Sequence, residues 1–372
     1  MSNELMQESQ KLFFDLLHVC IGARDTLQRQ YTEKEWGGAL KMAQEQTMTG
    51  VLMSALERLP KEQLPSKFFL LQWIGLGEIV VDNSNKLFNA SQEVLKYFHE
   101  NGFACHILKG SSVARYYPIP NRRASGDVDV WLDGTREEIY NFARKFDKDK
   151  KLYGVNYHHI HFHLIDDVHI EVHIWPSFLS SPIRNWMLHK FCDLHRPTMG
   201  TDMPSLAFNR VFIMLHCYRH MCGHGLGLRQ IMDYFYVLKQ SYNDNDNLNP
   251  NDNWREDTVK WIKKLGMARF ATGLMWVLQV YFGLESQYLL MKPDEKEGRF
   301  IIEEVLQTGN MGHSDTRNWG STKTPLSRFF YNLRRDAYLA KHYPHEALWQ
   351  PFFSLWLYAW RLSKGLMKDR DE

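Results

Sequence analysis

Between Ser125 and Trp131 the chain reads Ser-Gly-Asp-Val-Asp-Val-Trp, with carboxylates alternating with apolar side chains. A strand has a side-chain period of two, so the pattern sets Asp127 and Asp129 on one face and Val128 and Val130 on the other. Two adjacent carboxylates repel each other unless a cation sits between them. Hard oxygen ligands of this kind suit a divalent metal. The plainer alternative is an edge strand with a solvated face. The turn upstream and the second acidic strand downstream favour metal ligation by Asp127 and Asp129.

That second run, Val168-His169-Ile170-Glu171-Val172-His173-Ile174, alternates in the same way and places His169, Glu171 and His173 on one face. If the two strands join one sheet, Glu171 completes a three-carboxylate cluster, placed to share a metal or to accept the proton of an attacking hydroxyl. A strand beginning earlier would put Asp166 or Asp167 there instead. Tyr157 to Leu164 alternates too, and turns at Asp166-Asp167 into the Glu171 strand, which is a hairpin signature. Upstream, Phe103 to Leu108 reads as a buried strand, followed by Lys109-Gly110-Ser111-Ser112 and a short helical segment through Tyr117. A strand that turns at Gly-Ser into a helix offers free backbone N–H groups and a positive dipole end, so Gly110 and Ser111 are expected to cradle phosphate.

The flanks read as helix. Apolar residues recur at helical spacing from Leu12 through Ile21 and from Trp36 through Leu59, and a long helix from about Ser66 to His99 stops at Asn101-Gly102. Thr135-Arg136-Glu137-Glu138 has capping-box spacing, opening a helix toward Phe146 that a charged turn, Asp147 to Lys151, closes. Helices return at Leu206 to Cys222 and Leu226 to Leu238, joined by Gly223-His224-Gly225, and in one block from about Thr258 to Phe282. Asn243 to Asn253 and Gly309 to Pro325 read as loops, the second a long surface loop. Pro351 opens a last aromatic helix, Phe352 to Met367, expected to dock on the helical region. These breaks give an N-terminal helical arm (1–102), a core (103–205) and a C-terminal helical domain (206–372).

A chain of 372 residues, 44% hydrophobic, holds enough apolar material for two or three domains, or for one core with large helical additions. A net charge of +2 argues against the basic face that an extended nucleic-acid surface needs. The five cysteines (Cys20, Cys105, Cys192, Cys217, Cys222) are odd in number and set among apolar residues, which fits buried thiols in a reducing compartment. The start lacks a basic end followed by an apolar run, and the greasiest stretch, Met267 to Leu284, carries Arg269 and Gln279. Neither a signal peptide nor a transmembrane segment is expected, and the location expected is cytoplasmic.

Histidines supply the rival chemistry. His158, His159, His161, His163, His169 and His173 could ligate zinc, yet His159, His161 and His163 fall at strand spacing, so a polar strand face accounts for most of them. His173, on the Glu171 face, is a candidate to orient a phosphate or the glutamate. His216 and His220, at i, i+4 with His224 beyond, read as a helix face beside the cleft, and Arg229 and Asp233 as an intrahelical ion pair. Lys109, Arg122 and Arg123 concentrate positive charge near the aspartates; Arg123 or Lys109 is expected to face a triphosphate.

Leu108-Lys109-Gly110, Tyr116-Tyr117-Pro118, Arg122-Arg123, Gly126-Asp127-Val128-Asp129 and Ile170-Glu171-Val172-His173 together resemble an uncharacterised bacterial family of the DNA polymerase β-like nucleotidyltransferase superfamily. The gap from Ser111 to Asp127 is longer than that superfamily's usual spacing. The resemblance implies an α+β fold, a small mixed β-sheet core flanked by N-terminal and C-terminal helical regions. It implies a transferase that moves a nucleoside monophosphate from an NTP, ATP first, to an acceptor and releases pyrophosphate. Asp127, Asp129 and Glu171 would then be catalytic and hold two Mg²⁺ ions, with Lys109, Gly110, Ser111, Arg123 and His173 binding the nucleotide. A non-catalytic nucleotide-binding module and a histidine-based metallohydrolase are the alternatives.

Overall fold

The computed structural model describes residues 3–145, 154–223, 225–245, 253–317, 319 and 324–364. The alternating stretches form strands because one side of each is apolar and the other is not. β1 (Cys105–Leu108), β2 (Val128–Leu132), β3 (His159–Phe162) and β4 (Ile170–His173) make one sheet in the order β1-β2-β4-β3. β1 runs antiparallel to β2, β2 parallel to β4, and β3 antiparallel to β4. The β3–β4 hairpin is therefore present, and the architecture is α+β, a small mixed sheet between helical regions.

Helices α1 (Asn3–Cys20), α2 (Glu33–Glu45) and α3 (Thr49–Leu56) precede α4 (Lys67–Glu100), a 34-residue helix about 50 Å long. Gly102, at φ +83°, ends α4 and turns the chain into β1, a left-handed backbone that glycine adopts without strain. The inner edge of α4, Leu87, Ala90, Val94, Leu95 and Phe98, packs on Ile107, Val128, Val130, Ile160, Ile170 and Val172 of the sheet. Each fully buried Val or Ile on this face contributes about 1.5–3 kcal/mol. Burying that set commits its alternates, Asp129, Glu171 and His173, to the opposite face.

Between β1 and β2 lies α5 (Gly110–Ala114); after β2 comes α6 (Arg136–Ala143), whose Thr135 and Glu138 form the expected capping box. The expected end of that helix at Phe146 and the charged turn Asp147 to Lys151 lie outside the described residues. The remaining helices are α7 (Pro182–Asp193), α8 (Leu206–Cys222), α9 (Leu228–Asn245), α10 (Trp254–Lys264), α11 (Ala268–Tyr281), α12 (Glu295–Thr308), α13 (Pro325–Leu339), α14 (Pro344–Ala347) and α15 (Gln350–Ser363). Buried residues of α1, α2 and α3 share one apolar cluster with those of α8, α9, α11 and α12. Gln46 reinforces that junction by donating to the Val305 carbonyl and accepting from the Leu228 N–H. All five cysteines are buried and unpaired, and among the described residues no helix is long and apolar enough to cross a membrane.

Four expectations of helix and loop need correcting. The block from Thr258 to Phe282 is two helices, because Gly266 breaks it at φ +79° with Arg184 packed where a β-carbon would stand. The stretch from Gly309 is not simply surface: Asp315 accepts from Arg317 and Trp319, and Met311, Gly312 and Asp315 line the main cavity. The Asn243 to Asn253 loop begins later, since α9 continues to Asn245, and most of the rest lies outside the described residues; the tail helix expected to reach Met367 ends at Ser363, capped by Lys364. The helices α7, α12 and α13 are additions that periodicity around the motifs did not mark.

Phe98 is fully buried between α4, α6 and the sheet. Phe98→Ala is expected to cost about 3–5 kcal/mol of stability, measured by urea denaturation.

Candidate active site

Strand register assembles the site. Asp129 stands opposite Glu171 on parallel strands, while antiparallel β3 sets His161 against Glu171 and His159 against His173. Asp127 lies one residue ahead of β2. Register also separates the acidic candidates: Glu171 is the neighbour of Asp129, and Asp166 and Asp167 are exposed near the β3–β4 turn. Asp127, Asp129, Glu171 and His173 line a cavity of about 630 Å³, together with Lys109, Gly110 and Arg123.

Setting three carboxylates on one cavity wall, Asp129 buried and Asp127 and Glu171 half-buried, has visible electrostatic consequences. The neighbouring Asp129 carboxylate, and then desolvation, push Asp127 up to about 6. Asp129 itself is nearly fully buried, and burial opposes its charge. Lys109, whose Nζ is 2.8 Å from its Oδ1, and His173, whose Nε2 is 2.7 Å from the same oxygen, nevertheless hold it below the usual carboxylate range. Burial likewise opposes charge on Glu171, but His173 at 3.4 Å and the nearby Lys109 ammonium pull its proton affinity well down. His173 shows the reciprocal effect: burial alone would lower it, and its bonds to Asp129 and Glu171 lift it to about 8. Lys109 too is raised by the three carboxylates against the pull of burial.

The repulsion among the three carboxylates is felt most at Asp127, which Asp129 raises although Lys109 and Arg229 oppose the rise. The oxygens of Asp129 and Glu171 are of the kind a hard divalent cation takes, and among the described residues Asp127 belongs to none of the closely spaced groups that could hold an ion. Among the described residues the ligand atoms of Asp129, Glu171 and His173 lie within 4.8 Å of one another, as do those of His159, His161 and Glu171, and of His158, His159 and His173. The strand histidines thus converge on Glu171. Burial keeps His158 and His159 neutral, His159 down to about 3, and Asn156 donates to His159 Nε2 at 2.8 Å. His163 and His169 are exposed and belong to none of these groups.

The turn after β1 places Lys109 at φ +45° and Gly110 at φ +33°, both on the cavity wall. Ser111 is not on that wall; its hydroxyl lies 3.5 Å from that of Ser91 on α4. Ser125 lines the cavity in its stead, accepting from Arg123 Nη1 at 2.9 Å.

Arg123 is nearly fully buried, and both arms of its fork go to Asp233 at 2.8 and 2.7 Å, where Tyr117 also donates at 2.7 Å. The expected pairing of Asp233 with Arg229 is therefore replaced. A planar guanidinium facing a carboxylate across the α9 interface makes two bonds, which one turn of helix does not offer. Arg229 donates instead to the Thr47 hydroxyl and the Ala124 carbonyl, lines the cavity, and acts on Asp127 as a nearby cation. Arg122 is engaged outside the cavity, on Glu57 and Ser54. His216 and His220 of α8 line the cavity with their rings 4.4 Å apart; His224 lies outside the described residues.

The far wall comes from residues that sequence reasoning did not single out. Tyr331, Asn332, Arg335 and Asp336 of α13 face it, as do Gln350, Phe353 and Leu357 of α15 and Phe178, whose ring stacks on Phe353 at 4.8 Å. The signal available was Asn332, Arg335 and Asp336 at i, i+3, i+4, one polar stripe on a helix otherwise read past. α15 docks through Phe353 on Phe178, through a bond from Arg361 to Asn156, and through Trp360 under the Arg136 guanidinium.

A family model described as an uncharacterised nucleotidyltransferase matches residues 32–283. No curated protein and no solved structure matches the chain. The match spans the sheet and α8 to α11, and stops before the α13 and α15 wall.

Asp233→Ala would strand the buried Arg123 guanidinium. A loss of about 3–5 kcal/mol is expected by urea denaturation, and an unchanged midpoint would mean that Arg123 is not tied to Asp233.

Proposed function

The chain belongs to the uncharacterised nucleotidyltransferase family, and from that premise we propose that it transfers a nucleoside monophosphate from an NTP, ATP first, to an acceptor with release of pyrophosphate. The observation that carries this reading is the register of β2 on β4. It brings Glu171 beside Asp129, with Asp127 at the strand entrance, in the cavity that the Lys109-Gly110 turn also lines.

In this reading Asp127, Asp129 and Glu171 hold Mg²⁺, two ions in the full complex. Bound there, magnesium neutralises the charge of the triphosphate and lowers the pKa of the acceptor hydroxyl. The protein's own part is positioning. His173 grips both Asp129 and Glu171 and fixes the direction of their oxygens. Lys109 supplies a compensating charge at Asp129 and, with the backbone of Gly110, forms the wall against which the outer phosphates rest. Arg229 is the cation that faces them, because Arg123 is committed to Asp233. The cavity is of the size that takes a nucleotide-class ligand.

A histidine-centred hydrolase is the second reading, favoured by the closeness of His159, His161 and Glu171. One experiment separates the two. The protein is incubated with Mg²⁺, each α-labelled NTP and cell extract, and the destination of the label is followed. Asp127→Asn is expected to reduce transfer by about 100-fold or more, in the range set by removing one preorganised electrostatic group. Full transfer by that variant would refute the proposal, and zinc-dependent activity lost on His161→Ala would support the rival. Arg229→Ala is expected to raise the KM for NTP about tenfold, in line with losing one charge-assisted phosphate contact, while leaving the fold intact by circular dichroism.

A further inference from the structure

The cavity wall built by α13 carries a carboxylate that the transfer reading does not use. Asp336 is 6% exposed, lines the cavity, and among the described residues its carboxylate has neither a hydrogen bond nor an ion pair. Two guanidinium groups act on it only through space: Arg219 bonds Glu346, and Arg335 donates to the Met221 carbonyl at 3.3 Å. Desolvation dominates at Asp336 and pushes its carboxyl up to about 7, with Arg335 and Arg219 opposing and Glu346 adding to the rise. A buried carboxyl without a partner is costly to ionise, and either a proton or a ligand's cation relieves it.

We propose that Asp336 and Asn332, one turn apart on α13, form the acceptor subsite, and that they select an acceptor bearing a protonated amine. This rests on the transfer reading of the same cavity. A nucleobase N–H would satisfy the hydrogen bond but not the charge; an ammonium satisfies both. The flanking rings of Tyr331 and Phe353 suit the carbon frame of such a compound and the cation itself. The subsite lies beyond residue 283, where the family match ends, so catalytic and selecting walls come from different parts of the chain.

The test supplies the full chain with Mg²⁺, α-labelled NTPs and a small-molecule extract split on a cation-exchange resin. Label is expected to enter a compound in the retained pool, with Asp336→Asn raising the KM for that compound at least about tenfold, the loss of one charge-assisted contact. Asn332→Ala, at an exposed position where packing is not disturbed, is expected to raise the same KM. Label entering only the unretained pool, or an unchanged KM in both variants, overturns the inference and leaves the transfer reading standing. A change of NTP choice in Asp336→Asn, with acceptor KM unmoved, assigns the residue to the base and overturns it equally. No label in either pool removes the transfer reading and this inference with it.

Discussion

Like charges forced together by strand register govern this molecule. Asp129 and Glu171 are neighbours because β2 and β4 run parallel in a fixed phase, and Asp127 follows from the same alternation. Buried carboxylates repel, and the cost is offset where cations are aimed at them. Lys109 comes from the turn after β1 and His173 from β4 itself, and both reach one oxygen of Asp129. The repulsion is felt most at Asp127, whose proton affinity Asp129 raises although Lys109 and Arg229 oppose the rise.

Holding that arrangement requires rigid supports on both sides of the sheet. On one side α4 buries the apolar alternates, so a one-residue slip would send Val128 and Val130 into the polar cavity and the carboxylates into the core. On the other, the lead-in to β2 is fastened to α9 by the Arg123 fork on Asp233, with Tyr117 as a third arm. This tie consumes an arginine that proximity to the aspartates made look like a phosphate ligand. It also frees Arg229 to reach the Ala124 carbonyl and the cavity. The swap of roles between two arginines is a matter of which carboxylate each fork can meet squarely.

The cavity has two unlike walls. The sheet side carries Asp127, Asp129 and Glu171, and the family match covers it. The α13 and α15 side carries an unpaired carboxylate, an amide and aromatic rings, and stands beyond that match. On the proposed reading, such a division would let one catalytic wall serve with different selecting walls, because positioning of phosphate and recognition of an acceptor make separate geometric demands.

The residues alone determined the period-two segments, and with them the strands, the hairpin, the face that carries Asp127 and Asp129 on one segment and the face that carries Glu171 and His173 on another, and the caps at Gly102 and Thr135. Those are local properties, set by side-chain alternation and by backbone preferences that need no partner. What joins segments far apart in the chain was decided only in three dimensions. Asp233 chose Arg123 over the arginine one turn away, the Ser111 hydroxyl lay beside Ser91, and α13 closed the cavity although the stretch before it read as a loop. Periodicity records which face of an element is apolar; it does not record which polar group another element will bring opposite, because that depends on packing distances that the linear order does not contain.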